Sequence, residues 1–167
     1  MRAISRLGWL AYGLALAVVI LDQLSKYWII SASGLELGQS MPVFGPLQFT
    51  WIQNSGVSYG LLQSGAAWSR WGLTIFAFGV AGALMVSVRR AERLITALAL
   101  GLVIGGAVGN PIDRIVQGSV IDFIDVQALH FPWIFNLADS AITAGVILWL
   151  IESLLPKPGA AANTERL

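Results

Sequence analysis

The side chains of this 167-residue chain that could do chemistry are chiefly aspartates placed beside long apolar stretches. They are Asp22, Asp113, Asp122 and Asp139. Two carboxylates about 3 Å apart cannot both ionise easily, so one pKa rises and the pair holds one proton near neutral pH. Such a pair titrates as a unit. It can activate a water molecule and protonate a leaving amine, which hydrolyses an amide bond without a cofactor.

Polar residues that could support such a site accompany the acids. They are Asn54, Asn110, Arg114 and Asn136. If a helix continues through Asn110, then Asp113 and Arg114 lie on the same helical face, because residues i, i+3 and i+4 are neighbours there. Pro111 works against this arrangement, since the residue before a proline disfavours helical geometry.

Each candidate also has a purely structural explanation. Asp139 could cap a helix, because acids favour helix N-termini. Asn54 could be a turn residue, for which asparagine is well suited. For Asp113 we favour a structural ion pair with Arg114 or Arg70 over a role in catalysis.

Other charged and aromatic residues are assigned to structural positions. Asp22 can pair with Lys26, which follows it by four residues on a helix. Asp125 and Glu36 are expected to be solvated. Four tryptophans are interpreted as residues of the membrane–water interface. These are Trp51, Trp68, Trp71 and Trp133.

The composition excludes several kinds of site. There is no cysteine, which removes disulfides, thiol nucleophiles and cysteine-based metal sites. The single histidine, His130, cannot supply a zinc site alone, and a Ser-His-Asp triad would depend on it without any nucleophile turn nearby. A net charge of +1 and scattered basic residues give no nucleic-acid surface. We therefore expect no metal, no cofactor and no nucleic-acid partner.

The elements that must position these residues are membrane helices. The chain is 56% hydrophobic and 11% charged, whereas a soluble domain carries about 25% charged residues. Four apolar stretches are long enough to span a bilayer. They predict helices at about 7–30, 70–88, 94–115 and 136–155 within a single membrane domain, 1–167. The first could be a signal peptide after Arg2 and Arg6, but apolar residues continue through Leu21, so we interpret it as an uncleaved anchor.

Lysine and arginine predict the topology. Those outside the apolar stretches fall at the start of the chain, between the second and third stretches, and at the end: Arg2, Arg6, Arg89, Arg90, Arg93, Lys157 and Arg166. The positive-inside rule makes these positions cytoplasmic, with both termini inside. The loops 31–69 and 116–135 are then external, and every candidate site residue falls in the same external layer.

The external loops should contain a small sheet. Residues 47–51 alternate apolar and polar side chains, which indicates a strand. Residues 118–126 could be a further extended or re-entrant piece, and the loop from Ser31 to Gly65 could be a lid. The GxxxG spacing of Gly101, Gly105 and Gly109 predicts close helix contact. The fold class is thus an integral membrane all-α bundle of four transmembrane helices with a small extracytoplasmic β element.

Four motifs, in order, resemble those of bacterial lipoprotein signal peptidase, the type II signal peptidase, an aspartic peptidase of the inner membrane. They lie at 21–26 (LDQLSK), 54–60 (NSGVSYG), 109–125 (GNPIDR leading to GSVIDFID) and 135–140 (FNLADS). They cover the chain from about Leu21 to Ser140. One departure is mild, because Tyr59 stands where the family usually has Phe.

The resemblance implies a function and a site. Asp122 and Asp139 would be the catalytic dyad. The supporting residues would be Asp22, Asn54, Asn110, Asp113, Arg114 and Asn136. The substrate would be a prolipoprotein whose cysteine already carries a diacylglyceryl group, cleaved just before that cysteine at the periplasmic side of the inner membrane. We expect a monomer that contacts membrane lipids and is inhibited by globomycin-type compounds.

Two alternatives from other classes stay open. A Ser-Lys peptidase could use Ser25 with Lys26, provided that the pKa of Lys26 is strongly lowered. A small transporter or assembly factor could use buried acids to carry protons. Transporters often show internal repeats and mid-membrane sites. This chain shows no repeat, and its acids lie near one surface.

Overall fold

The computed structural model describes residues 3–56 and 66–155. It contains four long helices, α1 Arg6–Ser31, α2 Ala66–Val88, α3 Leu94–Val116 and α4 Leu137–Leu154. All four are long and apolar enough to cross a membrane. A small antiparallel sheet accompanies them, which confirms the predicted fold class. Tyr59 with the rest of residues 57–65 of the candidate lid, and the basic residues Arg2, Lys157 and Arg166, lie outside the described residues.

Helix α3 lies at the centre of the bundle and packs against the other three helices. Its glycines explain the close approach to α1. A Cβ on Gly101 would lie 2.9 Å from the carbonyl oxygen of Ala11, and one on Gly105 would lie 2.6 Å from Cβ of Val18. The helices could not approach this closely with any side chain there. The predicted glycine contact is therefore present, with α1 as the partner.

Helix α3 continues without interruption through Pro111 to Val116. Pro111 therefore does not interrupt the helix that carries Asn110 and Asp113, although the residue before a proline disfavours helical geometry. Tertiary packing overrides the local preference, since Pro111 is fully buried in the bundle. The continuous helix lets Asn110 and Asp113 reach the same region of the structure.

The sheet covers the end of the bundle where α1 and α3 end and α4 begins, here called the site end. Its strands are β1 Ser40–Phe44, β2 Leu47–Asn54, β3 Val120–Asp125 and β4 Ile134–Phe135, paired in that order. A short 3-10 helix, Gln127–Leu129, connects β3 towards β4. The strand predicted at 47–51 lies within β2, and the extended piece predicted at 118–126 is β3.

Strand β3 is an inner strand of the sheet, so most of its side chains are buried. This position corrects one expectation. Asp125 is only 3% exposed, not solvated. It accepts hydrogen bonds from the Thr50 hydroxyl at 2.6 Å and from the backbone N–H of Gln127 at 2.9 Å. A buried carboxylate needs such partners, and here the neighbouring strand and turn supply them.

Candidate active site

Asp122 lies in β3 opposite Ile52 of β2, and its side chain is buried. Each carboxylate oxygen accepts one hydrogen bond from an asparagine amide. Asn136 donates to Oδ1 at 2.7 Å, and Asn54 donates to Oδ2 at 2.9 Å. Burial raises the pKa of Asp122 to about 6, the Asn54 hydrogen bond opposes this rise, and the charge of Asp139 adds to it. Asp122 is thus a carboxyl group that keeps its proton to a higher pH than an exposed aspartate.

Asp139 lies in the first turn of α4 and takes part in a capping box with Asn136. The Asn136 side chain accepts from the backbone N–H of Asp139 at 3.0 Å, and Asp139 Oδ2 accepts from the backbone N–H of Asn136 at 3.2 Å. The other oxygen, Oδ1, accepts from the Asn110 amide at 2.7 Å. Asp139 therefore does belong to a helix cap, and the cap fixes its carboxylate beside Asn110.

Asn136 joins the two aspartates. Its Nδ2 donates to Asp122 at 2.7 Å and to Oδ1 of Asn110 at 2.9 Å, while its backbone N–H donates to Asp139. The residue is fully buried between β3 and α4. One residue thus binds both carboxylates, that of Asp122 through its side chain and that of Asp139 through its backbone N–H, and the charge of Asp139 is close enough to act on Asp122.

Asn54 makes a turn contact and also contacts the candidate site. Its Oδ1 accepts from the backbone N–H of Gly56 at 2.8 Å, which is a turn contact, while its amide donates to Asp122. Gly56 has φ of 79°, which favours glycine. The turn therefore fixes the rotamer that delivers the amide to the carboxylate.

Behind the two aspartates lies a buried ion cluster formed by Asp22, Lys26 and Asp113. Lys26 Nζ lies 2.7 Å from Asp22 Oδ2, as expected, and also 2.7 Å from Asp113 Oδ2. The expected pairing of Asp113 with Arg114 or Arg70 is wrong. Adjacent residues on a helix point in different directions, so Arg114 is poorly placed for Asp113, whereas α1 packs Lys26 directly against it.

Arg114 is half-buried on the side of the site that faces α2. Its Nε is buried, and no residue within 3–56 or 66–155 accepts a hydrogen bond from it. It lines a cavity of about 150 Å³ with Asn110 and Leu73. Arg114 lies close enough to Asp122 and Asp139 to interact with both charges. Arg114 therefore places a buried donor beside a cavity and two acids.

An apolar groove of about 620 Å³ runs from Asp139 along α4 and under the loop that follows β3. Sequence patterns did not indicate it. Its walls include Leu129, Phe131, Trp133, Phe135 and Ile147. Trp133 was assigned to the membrane interface, and its exposure of 54% agrees with that while also placing it at the groove. The groove therefore places an apolar surface directly beside Asp139.

In the described part of the chain, no three His, Cys, Asp or Glu side chains group as metal ligands. Seven of the site residues predicted from the sequence form one cluster, joined by direct hydrogen bonds or through Lys26. They are Asp22, Asn54, Asn110, Asp113, Asp122, Asn136 and Asp139. Lys26 is the member of this cluster that was not assigned a supporting role from the sequence. Its four-residue spacing from Asp22 was the available signal.

Comparison with known proteins identifies the family of the chain. Residues 14–155 match the family model described as signal peptidase (SPase) II. The chain is 49% identical to a lipoprotein signal peptidase of Caulobacter vibrioides, over 92% of this chain and 91% of the relative. It is 41% identical to one of Methylorubrum extorquens, over 89% and 87%. A solved bacterial membrane enzyme superimposes with a TM-score of 0.78 at 33% identity, covering 94% of this chain and 99% of the other.

Proposed function

Because the chain belongs to the signal peptidase II family, and is therefore a lipoprotein-processing protease of the bacterial inner membrane, we propose that Asp122 and Asp139 are its catalytic dyad. The observation that carries this proposal is the double role of Asn136. Its amide bonds Asp122 and its backbone N–H bonds Asp139, so two acids from different elements meet at one point. Such a pair supports an aspartic mechanism in which a water molecule is the nucleophile.

Below about pH 6, the proton of the pair is assigned to Asp122. Burial raises the pKa of Asp122 to about 6. Asp139 lies in the first turn of α4, where the helix N-terminus favours negative charge. Asp139 is then the base, and Asp122 is the acid.

The reaction follows from these states. Asp139 takes a proton from water as the water oxygen bonds to the scissile carbonyl carbon, and Asp122 gives its proton to the carbonyl oxygen. When the C–N bond breaks, the leaving amine takes the proton from Asp139. Asp122 recovers a proton from a hydroxyl of the intermediate, which restores both groups. Correct alignment of acid and base is worth several orders of magnitude in rate.

The surrounding residues align substrate and dyad. Asn54, Asn110 and Asn136 each donate to a dyad carboxylate and so fix its direction. Arg114, with its buried Nε, is placed to hold the substrate backbone or the developing oxyanion. Asp22 and Asp113 support the dyad from behind. No resident metal or cofactor enters this scheme.

The substrate is a prolipoprotein whose cysteine carries a diacylglyceryl group, cleaved just before that cysteine. Lipid chains stay in the bilayer while the scissile bond meets water at the membrane surface. The depth of the dyad supports this, since Asp139 lies in the first turn of α4 and Asp122 lies in β3 of the sheet that covers the site end. We place both termini in the cytoplasm and the site on the periplasmic side, on the basis of the basic residues at the opposite helix ends. The enzyme acts as a monomer and binds globomycin-type inhibitors and membrane lipids.

The Ser-Lys alternative finds less support in the contacts. The Ser25 hydroxyl donates to the carbonyl oxygen of Asp22 at 2.7 Å. Lys26 directs its ammonium to Asp22, Asp113 and Asn110. These partners occupy the groups that a nucleophile–base pair would need.

Cleavage of a lipidated prolipoprotein reporter by purified protein tests the proposal. Asp122→Asn should remove nearly all cleavage, whereas Ser25→Ala should retain it, because only the first change removes a proton donor of the dyad. Retained cleavage in Asp122→Asn would exclude the dyad mechanism. Loss of cleavage in a folded Ser25→Ala would instead favour the serine mechanism.

A further inference from the structure

Lys26 is a buried cation whose ammonium group has three polar neighbours. It donates hydrogen bonds to Asp22 Oδ2 at 2.7 Å and to Asn110 Oδ1 at 3.0 Å, and it forms an ion pair with Asp113 Oδ2, also at 2.7 Å. Lys26 itself is only 2% exposed and touches neither dyad aspartate directly.

The two acids that Lys26 binds each hold the backbone next to one dyad aspartate. Asp22 Oδ1 accepts from the backbone N–H of Ala138 at 2.9 Å, and Ala138 immediately precedes Asp139. Asp113 Oδ2 accepts from the backbone N–H of Ile121 at 3.3 Å, and Ile121 immediately precedes Asp122. The contacts are equivalent on both sides, so one ammonium links the backbone of α4 to that of β3.

The third contact of Lys26 sets the direction of an amide. Because an ammonium only donates, it must face the oxygen of Asn110 and not its nitrogen. The Asn110 nitrogen is then left to donate to Asp139 Oδ1, at 2.7 Å. A reversed amide would place an oxygen against the Asp139 carboxylate, which repels it.

We propose that Lys26 is a positioning residue that sets the separation and orientation of Asp122 and Asp139 by joining three contacts that lead to them. This inference rests on the proposed dyad. It adds a residue that does not touch the reacting atoms but determines where they lie. The dyad aspartates belong to different elements, and a shift of 1 Å between reacting groups can cost about 100-fold in rate.

Gln23 forms a second link between α1 and α3, so the fold should persist when Lys26 is replaced. The Gln23 amide donates to Asp113 Oδ1 at 2.9 Å, to Asp22 Oδ2 at 3.2 Å and to the carbonyl oxygen of Gly109 at 3.2 Å. Gln23 therefore holds α1 against α3 without Lys26. It contacts neither Asn110 nor the dyad, so it does not replace the positioning contacts.

Two variants test the proposal in the full-length protein. Lys26→Met removes the ammonium and keeps much of the side-chain volume. The double variant Lys26→Met with Asp22→Asn keeps the formal charge of the cluster at −1, because one cation and one acid are lost together. The amide oxygen introduced at position 22 can still accept from the backbone N–H of Ala138, so the ammonium bridge is the main loss. Arg93→Met is the matched control, since it removes a cation that pairs with Glu152 at 3.3 Å at the opposite end of α4.

The measurements are kcat and KM for a lipidated reporter, with the Tm of each variant and with Asp122→Asn in parallel. We expect both Lys26 variants to lose about 100-fold in kcat while KM changes by less than about threefold, and Arg93→Met to keep kcat. Wild-type kcat in the folded double variant would overturn the proposal. A rise in KM as large as the loss in kcat/KM would also overturn the proposal, because Lys26 would then serve substrate binding. Failure of both variants to fold would overturn it as well, because Lys26 would then serve folding.

The Asp122→Asn variant distinguishes failure of the positioning role of Lys26 from failure of the proposed dyad. If Asp122→Asn retains cleavage, the proposed dyad fails. If Asp122→Asn is inactive but the Lys26 variants turn over normally, only the positioning role fails.

Discussion

The two ends of the helix bundle hold their helices together in different ways. At the opposite end, apolar and small side chains dominate the contacts, with a core formed by Ala11, Ala15, Val88, Ala97, Leu100 and Ile104. Its ion pair, Arg93 with Glu152, is partly exposed. At the site end the buried residues include the polar side chains of Asp22, Lys26, Asp113, Asp122 and Asn136. Burial of so many polar groups is costly, so the polar cluster at the site end requires an explanation besides packing.

Function supplies that explanation. Buried ionisable groups in membrane helices are costly, and they mark working sites. Replacing a buried ion cluster by apolar residues often leaves a protein equally stable. Here the cluster's hydrogen bonds lead to Asp122 and Asp139 or to the backbone next to them. Changes at the site end should therefore reduce kcat, and matched changes at the opposite end should reduce stability alone.

The largest effect within this comparison is expected at Asn136. Asn136→Ala removes a helix cap and the amide donor to Asp122, so kcat should fall by about 100-fold, and stability by about 1 kcal/mol. Asn136→Ser keeps a capping oxygen but not the amide. It should lose as much kcat while recovering most of the stability. If Asn136→Ser instead restored kcat, the cap alone would matter and the link between the aspartates would not. Reporter kinetics and Tm measure both effects.

A smaller effect is expected from matched glycine changes in α3. A Cβ on Gly109 would lie 2.6 Å from Asp22 Oδ2, and one on Gly101 would lie 2.9 Å from the carbonyl oxygen of Ala11. Both alanine variants should lose about 1–3 kcal/mol through overpacking. Only Gly109→Ala displaces the ion cluster, so only that variant should lose kcat, by about tenfold. Equal kcat values for Gly109→Ala and Gly101→Ala would contradict the functional difference between the site end and the opposite end of the bundle.

The smallest effect is a shift in pH dependence at Asn54. Asp122 must be protonated to act as the acid, so kcat/KM should fall as pH rises through the pKa of Asp122, about 6 in the free enzyme. The Asn54 hydrogen bond lowers this pKa by favouring the charged form. Asn54→Ala should therefore move the alkaline limb to higher pH. A limb that stays in place, or moves to lower pH, would show that Asp122 is not the acid. The pH profile of kcat/KM for both proteins decides this.

The free energy of unfolding should also depend on the protonation of Asp122, and it should likewise decrease as pH rises. The pKa of Asp122 is raised in the folded state, so the folded state favours the protonated form. The contribution of Asp122 is therefore greatest at low pH and is lost as pH rises through about 6.

Much of the fold could be predicted from the sequence because a membrane restricts the choices. Each apolar stretch was long enough to span, and the alternation at 47–51 indicated a strand of the sheet. Asp125 was misjudged because β3 is an inner strand, and the Thr50 hydroxyl that binds its carboxylate comes from β2, a distant part of the sequence. Strand burial depends on topology, which alternation alone does not give.

The site was predicted less completely, for a related reason. Spacing along one helix correctly paired Asp22 with Lys26, four residues apart. It could not pair Asp113 with Lys26, because that contact depends on the packing of α1 against α3. The apolar groove was missed in the same way, since its walls come from the loop after β3 and from α4. Contacts within one element can be read from spacing, whereas contacts between elements need the tertiary structure.

Cleavage of a lipidated reporter by Asp122→Asn, Asp139→Asn and the matched Asp125→Asn tests the central claim most directly. All three remove one carboxylate near the sheet, and Asp122 and Asp125 are both buried in β3. The dyad predicts losses of about 10,000-fold in kcat for Asp122→Asn and for Asp139→Asn, because each supplies half of the acid–base pair. It predicts a loss of less than about tenfold for Asp125→Asn, whose partners are Thr50 and Gln127. Near-normal turnover in either dyad variant, with folded protein, would contradict the account.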